Sequence, residues 1–156
     1  MDGSLPPPLT ETLRRVAAAM EGAQDPWWII ASAAMALHGA HPIEVADVDL
    51  LTSERDAETL LATLRLRPSP DGGSDRFRSH IFARWEAPPV PVEIMAGFEV
   101  RTPRGWRSVR PVSRVAKQLG NMTLFIPSVD EILVHCRLFG RPKDEQRAAI
   151  LQRLES

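Results

Sequence analysis

The chain is predicted to be an α+β domain, because short strand-type runs and helical stretches alternate without a regular repeat and the C-terminal part is helical. Residues 27–30, 45–51 and 92–95 are brief apolar runs rich in β-branched or aromatic side chains, bounded by turn residues. Leu9, Leu13, Val16, Ala17 and Met20 instead recur at helical spacing, as do Ala57, Leu60, Leu61 and Leu64. From Ser128 onward, caps and breakers frame two helices and no strand-type run appears. A small mixed sheet covered by helices on one face is the expected architecture. The 156 residues, 44% hydrophobic, make one domain's worth of core. We expect a single domain over 1–156, with its core at about 27–126 and a helical segment at about 128–154.

Taken in order, Pro6, Pro7 and Pro8 read as a stiff lead-in outside the first helix, expected at 9–21 and stopped by Gly22 and Pro26. Residues 27–30 form a buried strand, and 31–37 a short helix of small residues ending at His38-Gly39. A loop with Pro42 leads to a strand at 45–51. Thr52 and Ser53 then cap a helix at 54–66, with Asp56 three residues after Ser53. Residues 68–75 are a glycine-containing turn, 78–85 a strand, and 92–95 a further strand in which Glu93 stands between β-branched neighbours. Strand-like pieces at 106–109 and 122–126 follow among prolines and glycines. Ser128 and Glu131 suggest a capping box for the next helix, which Gly140 ends. Arg141-Pro142-Lys143-Asp144 leads into the last helix.

The formal net charge of -1 gives no overall attraction for a polyanion. A local patch stays open, since apart from Lys117 and Lys143 the positive charge is all arginine. Cys136, the sole cysteine, cannot form an internal disulfide, which fits a reducing cytosol. Without a bilayer-length apolar segment or a secretion signal in the first ten residues, a cytoplasmic protein with no membrane association is expected.

Asp47 and Asp49 lie two residues apart, so on a strand they leave the same face about 7 Å apart. Like charges held so close are readily explained by a hard divalent cation between them. Capping or solvation is the alternative. Glu93, a charge in an apolar strand, adds a third oxygen donor if its strand lies alongside, and is otherwise an edge-strand charge. Three such donors suit one or two Mg²⁺ ions in displacement at phosphorus. Cys136, Trp27 and Trp28 read as packing residues, and His38 as a helix-end cap.

The order Trp28-Ile29-Ile30-Ala31-Ser32, a short helix ending Leu37-His38-Gly39, then Asp47-Val48-Asp49-Leu50-Leu51 and Val92-Glu93-Ile94 resembles the core of the DNA polymerase beta-like nucleotidyltransferases. It is most similar to small bacterial members related to aminoglycoside nucleotidyltransferases and abortive-infection toxins. The closing segment through Arg141-Pro142-Lys143-Asp144 is similar as well, so the resemblance spans about 27–154. It implies that Asp47 and Asp49 hold Mg²⁺ or Mn²⁺ against a nucleoside triphosphate, and that Glu93, with Asp49, serves catalysis at the attacking hydroxyl. It implies that the Ala31-Ser32 turn contacts the phosphates and that Arg141 or Lys143 balances their charge. The acceptor is left open: a small molecule, a tRNA end or a protein.

Two departures accompany the resemblance. Ala31 stands where the family usually has glycine, and its methyl group narrows the approach of phosphate to backbone. Ile43, Val45 and the His135-Cys136-Arg137 stretch stand where polar or basic residues are common. They motivate a second reading, a non-catalytic binding module with a protein partner, for instance a toxin-antitoxin component. A glycosyltransferase using Asp-x-Asp is a weaker third, with little chain left for an acceptor half.

Overall fold

A computed structural model describes residues 5–69 and 73–155. The order is α1 (Pro7–Ala19), β1 (Trp28–Ile30), α2 (Ala31–Leu37), β2 (Val48–Leu51), α3 (Glu54–Leu64), β3 (Phe77–Arg78), β4 (Ile81–Trp85) and β5 (Val92–Ala96). It continues with β6 (Glu99–Thr102), β7 (Gly105–Ser108), β8 (Val115–Leu119), β9 (Met122–Ile126), α4 (Val129–Phe139) and α5 (Pro142–Gln152), closing on a 3-10 turn, Arg153–Glu155.

Several boundaries differ from expectation for identifiable reasons. Pro7 and Pro8 lie inside α1, in its first turn, where amide hydrogens have no helical acceptor and proline forfeits nothing. β2 begins only at Val48, because its antiparallel partner β1 ends at Ile30, opposite Asp49, where the chain turns into α2. Asp47 therefore precedes the strand. The expected strand 78–85 is two, β3 and β4, which join different sheets. β6 and β8 were not expected; they form hairpins with β7 and β9, with Pro103 and Gly120 at the two turns and Gly105 opening β7. α3 stops at Leu64, with Arg65 in the left-handed region at φ 58°. The turn expected at 68–75 includes residues 70–72, which lie outside the described residues.

The caps show where side chains found better partners than their own helix. Ser53 and Ser128 accept from Asp56 N and Glu131 N at 3.2 Å, as N-caps do. Glu131 does not complete a capping box, because its carboxylate accepts instead from Val112 N and Ser113 N, both at 2.8 Å, pinning the loop before β8. Asp56 likewise turns to Gln24 N and Asp25 N. Gly140, at φ 66°, ends α4 as expected.

The main sheet runs β1-β2-β5-β4, with β2 and β5 parallel and the outer pairs antiparallel. Alternation divides its side chains cleanly. One face carries Ile29, Val48, Leu50, Val92, Ile94 and Ala83 into the principal core, against Leu13 and Val16 of α1, Leu60 of α3 and Ile132 of α4. The other carries Trp28, Ile30, Leu51, Met95 and Phe82 into a smaller cluster with Phe98, Val100 and Phe139. The three-stranded sheet β3-β6-β7 contributes to that second cluster. Helices thus cover one face, and a small sheet partly covers the other. Where that cover stops, the second face carries charge.

Candidate active site

One row across the main sheet holds the charge. Ile30, Asp49, Glu93 and Arg84 are successive register partners on β1, β2, β5 and β4, so their side chains leave the same face. Asp49 and Glu93 are nearest neighbours on parallel strands. β5 lies inside the sheet, which removes the reading of Glu93 as an edge-strand charge. Asp47 reaches the same place from just before β2. Burial, then Glu93, then Asp47 push the Asp49 carboxyl well above its ordinary value of 3.8, with Arg147 of α5 opposing them weakly.

Arg84 does not stand out in the sequence as a site residue. Its guanidinium lies 3.0 Å from Glu93 and 3.1 Å from Asp47, with Glu86 at 2.9 Å. Burial disfavours its charge, but the hydrogen bond to Glu86 and the charges of Asp47, Glu86 and Glu93 prevail and raise its pKa. The signal that could have found it is alternation: in Ile81-Phe82-Ala83-Arg84-Trp85, Arg84 shares a face with Phe82 and opposes Glu93.

Among the described residues, no three carboxylate, histidine or cysteine side chains stand as a ready-made metal cage. The donor set nevertheless suits a hard divalent cation. It is all oxygen, two of its members are adjacent like charges, and Arg84 already supplies positive charge to two of the three carboxylates.

A cavity of about 160 Å³ opens on this row, lined by Ala31, Asp49, Glu93 and Arg141 together with Phe77, Phe82 and Phe139. It gathers four of the residues singled out from the sequence. Asp47 joins through Arg84, outside the lining. Ser32 is buried, at 5% exposure, and does not line the cavity. Lys143 lies exposed in the first turn of α5, also outside the lining. Arg141 enters with its guanidinium already engaged: Nε and Nη2 donate to Asp144 at 2.6 and 3.0 Å, and the group lies over the Phe77 ring. The Ala31 backbone has φ 60°, the left-handed conformation that glycine adopts freely and alanine only at a cost. The turn keeps the shape that the resemblance associates with glycine, although the side chain is a methyl.

Comparison with solved proteins finds the same fold elsewhere. It superposes on a Thermotoga maritima protein named as a candidate nucleotidyltransferase with a TM-score of 0.72 and 22% identity, covering 96% of both chains. The chain has the nucleotidyltransferase fold. The antibiotic-resistance factor ANT(2")-Ia, solved in complex with adenylyl-2"-tobramycin, gives a TM-score of 0.60 at 12% identity over 94% of this chain and 89% of that one. An antigenic nucleotidyltransferase-like protein from Paracoccidioides brasiliensis gives 0.55 at 16% over 94% and 76%. By sequence, no family model and no curated protein matches the chain. On this fold the mixed sheet, the α2 turn and the C-terminal helices are the frame for the charged row, consistent with the expected α+β class.

Cys136, His38 and the two tryptophans have structural roles. Cys136 is buried, and burial pushes its thiol up to about 11, so it is unreactive as a thiolate. The His38 ring is 2.8 Å from the Pro127 carbonyl, joining the end of α2 to the start of α4 rather than serving only its own helix. Trp27 meets Phe125 edge to face, and Trp28 Nε1 donates to the Ser113 carbonyl at 2.9 Å. Among the described residues, no helix is long and apolar enough to cross a membrane.

Proposed function

We propose that this protein is a divalent-metal-dependent nucleotidyltransferase that moves a nucleoside monophosphate from a nucleoside triphosphate to an acceptor hydroxyl. The observation that carries the proposal is the register pairing of Asp49 with Glu93 at the floor of a cavity, with Asp47 reaching the same row. Mg²⁺ or Mn²⁺, when bound, would neutralise phosphate charge and polarise the reacting oxygens. Asp47 and Asp49 would hold the ion on the triphosphate side, and Glu93 would share it and accept the proton of the attacking hydroxyl. The Ala31 turn would bring backbone N–H groups to the phosphates, while Ser32 packs beneath it. Arg141 lines the cavity and would meet phosphate charge there while held by Asp144, whereas Arg84 lies outside the lining, held by Asp47, Glu86 and Glu93.

Two observations favour the second reading, a non-catalytic module with a protein partner. Arg84 already satisfies Asp47 and Glu93, and the cavity of about 160 Å³ is smaller than the roughly 300 Å³ or more typical of a ligand site. Incubation with each labelled nucleoside triphosphate, Mg²⁺ or Mn²⁺ and a cell extract separates the two. Label transfer that disappears in Asp49→Asn and Glu93→Gln supports the enzyme. Absence of transfer together with absence of metal-dependent triphosphate binding refutes it.

A further inference from the structure

The chain is nearly neutral as a whole, yet its positive charge is not evenly spread. Between Glu99 and Arg114 the sequence holds Arg101, Arg104, Arg107, Arg110 and Arg114, against Glu99 as the sole acid. Glu99 is already paired with Arg78 at 2.6 Å. Arg101, Arg104 and Arg107 sit on the β6–β7 hairpin, are exposed, and make no side-chain ion pair among the described residues. Three exposed cations without counterions repel one another, a cost that binding to a polyanion removes. They are arginines, whose planar forks match phosphate oxygens better than ammonium groups do.

Trp106 lies in the same hairpin, directly opposite Arg101. It is only partly buried, and the Arg78 guanidinium sits 4.2 Å from its ring centroid. A cleft of about 480 Å³ is lined by Arg104, Trp106 and Arg107 together with Leu138 of α4. An arginine-lined cleft with an indole wall combines phosphate attraction with a surface on which an unpaired base can stack, on the ring face that Arg78 does not cover. The next residue, Phe139, lines the candidate active-site cavity, and so does Phe77 of the same three-stranded sheet. The cleft and the catalytic row are thus neighbours across the end of α4.

We infer that the β6–β7 hairpin and Leu138 form a docking cleft for single-stranded RNA, placing a strand end with its ribose hydroxyls beside Asp49 and Glu93 as acceptor. This deepens the nucleotidyltransferase reading and rests on it for the acceptor role, although strand binding itself does not. A duplex fits less well, because its paired bases leave the indole nothing to stack on. RNA is the nucleic acid that regularly presents unpaired segments for such stacking.

The test uses the full chain and a 5′-labelled twelve-nucleotide uridine RNA, followed by fluorescence anisotropy without metal or triphosphate. Phosphate contacts from the two cleft arginines give a slope of about -1.4 in log affinity against log salt, so binding weakens about sevenfold between 50 and 200 mM salt. Arg104→Glu/Arg107→Glu should weaken binding at least tenfold at 50 mM and remove most of the salt effect. Trp106→Ala should cost roughly tenfold and Trp106→Phe much less, with unchanged circular dichroism in both. Asp49→Asn should bind RNA like the natural chain. No binding at 50 mM salt, an unchanged affinity in the double reversal, or equal or tighter binding of an RNA duplex or a DNA strand overturns the inference. RNA binding by a protein that transfers nucleotide to nothing would refute the enzyme and leave the cleft standing. Transfer to another acceptor without RNA binding would do the reverse.

Discussion

Replacing Arg84 by methionine keeps most of the side-chain volume and removes the charge that lies 3.0 Å from Glu93 and 3.1 Å from Asp47. At such separations a unit pair is worth about 1.4 kcal/mol in water and about 5.5 kcal/mol at an effective dielectric of 20. The Arg84 side chain is 39% exposed and its partners 26% and 32%, so solvent screening brings each contact toward the lower figure. After return of the desolvation cost, Arg84→Met should destabilise the metal-free protein by about 1–2 kcal/mol. The same energy opposes any ion entering the row, because the ion must displace the guanidinium. Removing that competitor should tighten Mg²⁺ or Mn²⁺ binding by about 5- to 30-fold, since 1.4 kcal/mol is a factor of ten. Calorimetric titration with Mn²⁺, paired with thermal unfolding at several metal concentrations, measures both sides of the cycle. The variant should begin less stable and gain more from metal. Unchanged or weaker metal affinity in Arg84→Met would show that Arg84 does not occupy the ion's place and would refute this reading of the row.

Asp49→Asn should stabilise the metal-free protein at pH 7 by about 1–3 kcal/mol, because it replaces one of two adjacent carboxyl groups with a neutral group of the same shape. The folded-state pKa is raised, so the natural residue's contribution is intact below 3.8 and declines as pH rises toward the folded value. The advantage of the variant in chemical denaturation should therefore shrink on acidification, and a pH-independent gap would contradict the assignment. Ala31→Gly should relieve the left-handed backbone at φ 60° and raise stability by about 0.5–1 kcal/mol, read as an upward shift in Tm. A loss of stability would mean that the methyl packing outweighs the strain. Asp25, held down at about 2 by hydrogen bonds from Arg55 and Ser53, has the opposite pH sign. Its contribution is present above the ordinary carboxylate range and is lost as pH falls toward 2. Asp25→Asn should be less stable than the natural chain at pH 6 and converge with it on acidification. Parallel stability curves would exclude this role.

The helices were legible because apolar spacing, hydroxyl caps and terminal glycine are local signals, as at Ser53, Ser128 and Gly140. The main strands were legible because they are apolar on both faces, and both faces are covered. β6 and β8 were hidden because their half-exposed side chains alternate weakly among arginines, prolines and glycines. The first-turn prolines of α1 and the outward reach of Glu131 went unread for a related reason. Composition alone does not say which amide hydrogens lack partners, or which loop will offer better ones.

By itself, then, the sequence determined the α+β class, the strand-turn-helix leading to Asp47 and Asp49, and Glu93 as the charge that needed an explanation. The fold decided the rest. Register on parallel β2 and β5 set Glu93 beside Asp49, and β4 brought Arg84 across the row. The end of β1 forced Ala31 into a left-handed turn, while burial withdrew Ser32 from the cavity and Asp144 engaged Arg141. Spacing along a chain fixes which residues share a face, but only pairing between strands distant in sequence fixes which faces and charges meet.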